Sequence, residues 1–393
     1  MRGGLVLPYA CRVERFDAIV VGAGPAGSTA ALRLSRSGAR VLLLDRERFP
    51  RDKPCGGGLT ERAVRQLPVS VDPVVEEVVD RFELGLRYGT RFVRGGERPL
   101  VLMTQRRLLD AHLAEEAAAA GADFRDGLRA TALELGEREA TIRFDGTSAC
   151  AAVVIGADGV NGLTARALGF ANRRHGVALE GNVSYVHARE ERWRGRAVVD
   201  LAAVPGGYAW VFPKGDHVNV GVGGWVSEGP RLRGHLERAC SAYGLPHRRL
   251  ESLRGYRLPM RRAGEAPLRG RVMLVGDAAG LVDPLSGDGI YEALLSSRLA
   301  CEAALDLLAG RRANLEPYRE RLANELDPLT SASWSAKLAF DRYPRLAFTI
   351  ARTPPAWRLA ERLLRDELSD AQPVSGTMRV PLNALRALAH ATR

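Results

Sequence analysis

The chain has 393 residues, 46% hydrophobic and 26% charged, the balance of an ordinary globular protein with room for two joined domains, which excludes a disordered, collagen-like or disulfide-scaffold chain. Its five cysteines (Cys11, Cys55, Cys150, Cys240 and Cys301) are far apart and include no C-x-x-C pair, so neither a disulfide framework nor a cysteine-rich zinc site is expected and a reducing cytoplasm is the expected setting. The formal charge is +11, from 57 basic against 46 acidic residues, and only Lys53, Lys214 and Lys337 among the basic ones are lysine; so uniform an arginine bias points first to nucleotide composition and only second to an anionic partner.

Phe16–Val21 is a short β-branched apolar run ending in glycine, the pattern of a fully buried parallel strand. Gly22-Ala23-Gly24-Pro25-Ala26-Gly27 follows, then helix formers over Ser28–Ser37, a stop at Gly38, and a second apolar strand over Arg40–Leu44 that ends at Asp45. This is one β-α-β unit. The first glycine permits the tight turn, the second lets backbone approach a pyrophosphate, and the third lets helix pack closely on strand. The helix start supplies unpaired amides and a positive dipole for the phosphates. Asp45 lies 23 residues past Gly22, near the ~20 expected of a carboxylate that accepts ribose hydroxyls. The unit binds a dinucleotide without distinguishing NAD from FAD.

Farther along, Tyr208, Trp210 and Phe212 alternate with Ala209 and Val211, so on a strand the three aromatics share one face. They form either an ordinary packed sheet face or one wall of an apolar substrate slot. Between Arg231 and Arg271 eleven arginines stand against three glutamates, a concentration suited to anionic lipid headgroups, phosphorylated substrate or nucleic acid, or simply to a solvated face. Because no zinc-finger, helix-turn-helix or aromatic RNA-binding signature accompanies it, no nucleic-acid partner is expected.

Val272–Val275 is another buried-strand run, leading into Gly276-Asp277-Ala278-Ala279-Gly280 and Asp283-Pro284-Leu285-Ser286-Gly287-Asp288-Gly289, with a long helical pattern from Ile290 to about Leu308. Asp277 at a strand end is suited to a polyol such as the ribityl chain of a flavin. Gly287 and Gly289 let amides approach a flat ring, and the helix dipole favours the charge that reduced flavin carries near N1.

Gly22–Gly27 with Asp45, Gly156-Ala157-Asp158-Gly159, and Gly276-Asp277 through Gly289 resemble the three fingerprints of the FAD-dependent oxidoreductases shaped like aromatic hydroxylases. Arg106, four residues before Asp110, resembles the arginine that lies against the cofactor in that superfamily. Phe49-Pro50-Arg51-Asp52-Lys53-Pro54-Cys55-Gly56-Gly57-Gly58-Leu59 and Tyr208-Ala209-Trp210-Val211-Phe212-Pro213-Lys214-Gly215 are similar to motifs of the geranylgeranyl reductase family. Two carboxylates depart from that pattern, Asp45 and Asp288, each standing where glutamate is usual.

The resemblance implies an α/β chain: a Rossmann-like FAD-binding domain assembled from 14–60, 100–175 and 260–310, an inserted antiparallel-sheet substrate domain from 61–99 and 176–259, and a helical C-terminal region over 311–393. Beyond Arg311 the aromatic anchors are Trp334, Phe340, Tyr343 and Trp357, with an irregular stretch after Asp370. The implied cofactor contacts are Gly22, Gly24, Pro25, Ala26, Gly27, Asp45, Arg46, Cys55, Gly56, Arg106, Asp158, Gly276, Asp277, Pro284, Gly287, Gly289 and Ile290. Cys55, Gly56 and Gly57 form the implied catalytic loop, where the thiol donates a proton, gates flavin movement or shapes the pocket, and Tyr208, Trp210 and Phe212 contact substrate.

The expected activity is saturation of carbon–carbon double bonds in a polyprenyl group, geranylgeranyl or an isoprenoid quinone tail, with the alternative of a monooxygenase or halogenase acting on an aromatic or polyketide-like substrate. The electron donor is open among NADPH, NADH and a ferredoxin-like protein. No apolar run reaches the ~18 residues needed to cross a bilayer, and the opening apolar stretch is too short for a signal peptide. The expectation is a cytoplasmic protein with a peripheral contact at the inner membrane face. The seven histidines show no metal spacing, and no metal is expected.

Overall fold

The computed structural model describes residues 13–170, 175–265, 267–365 and 367. The expected β-α-β start forms as strand Glu14–Val21, helix Pro25–Arg36 and strand Val41–Leu44. The helix begins three residues earlier than its side-chain pattern suggests, because Pro25 at the first helical position has the right φ and lacks an N–H that would go unused there. The central strand pairs in parallel with Val41–Leu44 on one side and Thr147–Gly156 on the other, and Thr147–Gly156 pairs in parallel with Val272–Leu274. Val154 and Val272, 118 residues apart in the chain, thus become direct neighbours, and both glycine-rich turns follow strands of one eight-stranded sheet. All four residues of Val41–Leu44 are buried, as a parallel strand covered on both faces requires.

Helix Ile290–Leu308 packs beside helix Pro25–Arg36 over this sheet. Their contact is polar as well as apolar: Thr29 Oγ1 donates to Ser297 Oγ at 3.0 Å, and the Gly276 N–H donates to Ser296 Oγ at 3.1 Å. Two of the three nucleotide-type fingerprints are therefore tied to one helix pair, which fixes their spacing.

A second sheet has seven strands, ordered 251–259, 175–184, 217–225, 208–213, 196–201, 81–86, 91–95, antiparallel except where 196–201 meets 81–86. Helix Leu232–Tyr243 covers one face, burying Ala209, Val211, Val218, Val220 and Val222. The other face carries Tyr208, Trp210 and Phe212. Strand His217–Trp225 is buried over nearly its whole length instead of alternating, because Trp210 lies flat over Gly221 on the side the helix leaves open; a Cβ at Gly221 would sit 2.1 Å from the indole.

Helices Glu316–Arg342, Pro344–Ala351 and Pro354–Leu364 complete the described chain and carry three of the four aromatic anchors, with Tyr343 between the first two helices. The irregular stretch expected after Asp370 lies outside the described residues. Helix Glu316–Arg342 grips the turn before the aromatic strand: Asp341 accepts the Gly206 N–H at 2.8 Å and the Trp225 Nε1–H at 2.9 Å, and Lys337 donates to the Gly206 carbonyl. Of the eleven arginines between 231 and 271, Arg231, Arg254 and Arg261 are paired with Glu228, Asp52 and Asp327, and Arg271 with the Glu137 carbonyl, so part of that charge is spent inside the fold. Among the described residues no helix is long and apolar enough to cross a membrane.

Candidate active site

The first glycine-rich turn is built around steric absences. Gly22 sits at φ +103°, where a side chain would strain the backbone, and its missing Cβ would lie 2.4 Å from the Ala157 carbonyl oxygen. That close approach seats the Gly156–Gly159 loop on the Gly22–Gly27 turn. Gly24 is the N-cap of its helix, and no side chain caps that end, so its first amides face outward together with the positive end of the dipole. The Arg106 and Arg51 guanidinium nitrogens each lie 3.6 Å from where a Gly24 Cβ would stand.

Both arginines are held by one buried carboxylate. Arg106 Nε and a terminal nitrogen donate to Asp110 at 2.7 and 2.8 Å, and Arg51 reaches the same carboxylate at 2.8 Å. Burial works against the Arg106 charge, but Asp110 outweighs it and holds the guanidinium more firmly protonated than usual. Amides, a helix dipole and two guanidinium groups on a side-chain-free turn are the donor set a pyrophosphate needs. The residues present therefore fit FAD, with Arg106 placed as expected. Arg51, which sequence reasoning passed over, stands beside it.

Asp45 turns toward this region, its two oxygens accepting the Ala23 and Glu47 amides at 2.7 and 2.9 Å. Arg46 turns away and pairs with Glu47 at the surface. Asp158 lies at the fingerprint loop, but its carboxylate is held by the Thr164 amide at 2.9 Å and by the Thr164 hydroxyl. It shapes the loop and has no oxygen turned freely outward. Asp277 accepts from Tyr256 Oη at 2.7 Å and lies 3.5 Å from Lys53 Nζ. Pro284 is buried, and Asp283 accepts the Leu285 and Ser286 amides, folding the loop so that Gly287 (φ +68°) and Gly289 lead into the helix at Ile290. The Ile290 amide donates to Asp288 at 2.9 Å.

The aromatic strand spans the gap between these loops. Ring centroids of Tyr208 and Trp210 are 6.0 Å apart, and those of Trp210 and Phe212 are 6.4 Å apart. At one end Tyr208 donates to the Ser286 carbonyl, with its oxygen 3.4 Å from a virtual Gly287 Cβ. At the other end a Gly56 Cβ would stand 2.9 Å from the Phe212 ring. Gly56 and Gly287 thus touch opposite ends of one aromatic wall; the Phe212 ring leaves no room for a side chain at Gly56, and at Gly287 the positive φ disfavours one.

Burial pushes the Cys55 thiol up, so it carries its proton at neutral pH. Glu180, Lys214, Tyr256, Lys53 and Asp110 complete this surround and carried no role in the sequence reading. For Lys214 a signal existed, its rarity: it is one of three lysines in the chain. Glu180 and Tyr256 reach the site through strand pairings that local spacing does not reveal.

A family model described as FAD binding domain matches residues 15–203. The menaquinone reductase of Mycolicibacterium smegmatis is 33% identical over 316 residues, 73% of this chain and 76% of that protein. The geranylgeranyl diphosphate reductase of Rhodobacter capsulatus is 32% identical over 330 residues, 79% of this chain and 81% of that one. The crystal structure of a geranylgeranyl bacteriochlorophyll reductase-like protein from Thermoplasma acidophilum superposes with a TM-score of 0.78 at 21% identity, covering 97% of this chain and 98% of its own. The double glycine-rich frame, the guanidinium pair and this extent of likeness together establish that the chain belongs to the geranylgeranyl reductase family of FAD-dependent oxidoreductases.

Proposed function

We propose that this oxidoreductase saturates carbon–carbon double bonds of a polyprenyl group, either a geranylgeranyl chain or the isoprenoid tail of a quinone. The observation that carries the reading is the Tyr208–Trp210–Phe212 wall, which runs from the Gly287 loop to the Gly56 loop beside Cys55. A continuous aromatic face suits a long apolar chain with few polar demands. The names of the relatives agree with this substrate class.

When bound and reduced, FAD supplies a hydride at N5, with electrons from NADPH, NADH or a ferredoxin-like protein. The remaining work falls to the chain. Because an isolated alkene has no carbonyl to hold negative charge, catalysis rests on positioning the double bond and on timely protonation of the second carbon. The aromatic wall positions, and the Cys55 thiol holds a proton at Sγ on the Gly56 side of the wall. One alkene gains one hydride and one proton, and the thiol is then reprotonated from solvent.

Reduced enzyme incubated with geranylgeranyl lipids and isoprenoid quinones should yield products two mass units heavier per bond reduced, read by mass spectrometry. No such gain with any prenyl chain, together with substrate-stimulated oxygen uptake on aromatic compounds, would replace this reading with a monooxygenase or halogenase. Cys55→Ser should lower turnover by about 100-fold, the lower end of one general acid's contribution, while FAD content holds. Unchanged turnover would remove Cys55 from the chemistry. A peripheral contact with anionic lipid belongs to the same proposal and is checked by sedimentation with vesicles.

A further inference from the structure

Three consecutive glycines leave the Cys55–Gly58 segment without side chains of its own beyond the thiol, so what fixes its path must come from elsewhere. Beside the Gly57 amide, which donates to Cys55 Sγ at 3.3 Å, two charged side chains hold the segment, Glu180 on strand 175–184 and Lys214 just past strand 208–213, with strand 217–225 between them. Glu180 Oε1 accepts the Cys55 amide at 2.8 Å. Lys214, 2% exposed, donates from Nζ to the Gly56 carbonyl at 2.5 Å and to the Thr104 carbonyl at 2.7 Å. The loop amide and carbonyl on either side of the Cys55–Gly56 peptide are thus held from two directions. Thr104 closes the ring, its amide donating to the Gly57 carbonyl at 2.9 Å.

The sheet register explains the geometry. Glu180 pairs with Gly221, and Gly221 with Trp210, so carboxylate and indole share one face with an empty glycine between them. Lys214 continues the alternation of Tyr208, Trp210 and Phe212. The residues that form the aromatic wall and those that hold the loop are therefore registered to one another across three adjacent strands, 175–184, 217–225 and 208–213, and the thiol is set against the wall by backbone pairing.

We propose that Glu180 and Lys214 are positioning residues that latch the Cys55–Gly57 loop onto the aromatic wall and thereby set where the thiol stands. The inference rests on the reading of Cys55 as the proton-bearing group. Burial raises the Glu180 carboxyl to about 6, opposed by the Cys55 amide and Lys214, and burial lowers the Lys214 ammonium to about 8, opposed by Cys55, Glu76 and Glu180. The carboxylate exists above the first value and the ammonium below the second, so both bonds are charge-assisted only between about pH 6 and about pH 8. The other charged groups facing the latch are Asp52, which is paired with Arg254, Glu76, which is held by Gln105, and Arg106, which faces Cys55.

The test is alkylation of Cys55 by iodoacetamide in the FAD-loaded, full-length protein, read at that peptide by mass spectrometry from about pH 5 to about pH 9. Thiolate content alone gives a tenfold rise in rate per pH unit below the thiol pKa. The latch adds protection inside its window, so the wild-type rates should lie above that line below about pH 6 and again above about pH 8. Glu180→Ala should alkylate on the order of tenfold faster within the window, the size expected for one charge-assisted hydrogen bond. Glu180→Gln keeps an acceptor for the Cys55 amide, so it should restore protection to within about threefold and lose the acid limb. Lys214→Met should lose the alkaline limb.

A wild-type profile that follows the thiolate line throughout, or a Glu180→Ala rate within about twofold of wild type, overturns the proposal. Should Glu180→Ala or Lys214→Met shed FAD, the wild-type profile and Glu180→Gln decide the matter. If no prenyl lipid is turned over by any form of the enzyme, the substrate reading falls, while the alkylation profile still reports on the latch.

Discussion

Gly27→Ala should yield a protein without flavin colour. The added methyl would start 1.8 Å from the Gly22 carbonyl oxygen and 3.0 Å from the Ala157 Cβ, and its nearest obstacle is backbone that no rotamer change can move aside. To admit it, the helix Pro25–Arg36 must lift from the turn that points its amides at the cofactor phosphates. Overpacking of this kind costs about 1 to 3 kcal/mol, here toward the upper end because the obstacle is backbone, and the same displacement should weaken FAD binding by about 100-fold, equivalent to about 2.7 kcal/mol. Visible flavin absorbance of the purified variant, followed by titration with added FAD, measures both. Wild-type stoichiometry in Gly27→Ala would show that this turn does not hold the pyrophosphate.

Asp110→Ala should be the most destabilising single change among the charged residues around the site. Asp110 is fully buried and is the shared partner of two guanidinium groups, Arg106 at 6% and Arg51 at 13% side-chain exposure. Deleting it takes the nearest countercharge from both guanidinium groups and leaves Arg51 only Asp45 at 3.6 Å, a loss of about 3 to 5 kcal/mol for breaking a buried pair. The measurement is the midpoint of denaturant unfolding at unchanged m-value. Saturating FAD should return a larger share of stability to the variant than to the wild type, because an anionic ligand replaces the missing countercharge and binds only the folded state. Equal stabilisation of the two proteins by FAD would place Arg51 and Arg106 away from the cofactor phosphates.

The three lysines show how much a composition can hold without disclosing it. Lys214 and Lys337, at 2% and 5% exposure, each donate to backbone carbonyls, and Lys337 also sits 4.4 Å over the Trp225 ring. A compact ammonium turns among nearby carbonyls where the planar fork of arginine has no matching partner. Their rarity in an arginine-rich chain was visible, but the carbonyls they serve were not, since Gly56 lies 158 residues from Lys214 and Gly206 lies 131 from Lys337.

What local pattern determined is what depends on near neighbours in the chain. The β-α-β start, the helix from Ile290 to Leu308, and the common face of Tyr208, Trp210 and Phe212 all follow from side-chain period and glycine placement, and the four-residue step from Arg106 to Asp110 is one helical turn. Which charges meet was left to tertiary structure. Arg51 joins Asp110 from 59 residues away and Glu180 reaches Cys55 from 125, through a sheet register and a loop path that no short spacing encodes. Arg46, adjacent in sequence to a carboxylate that faces inward, faces solvent because successive residues at a strand end point to opposite sides. Sequence alone specified the glycines that keep side chains out of the site; only the folded chain decided which distant charges would fill the space around them.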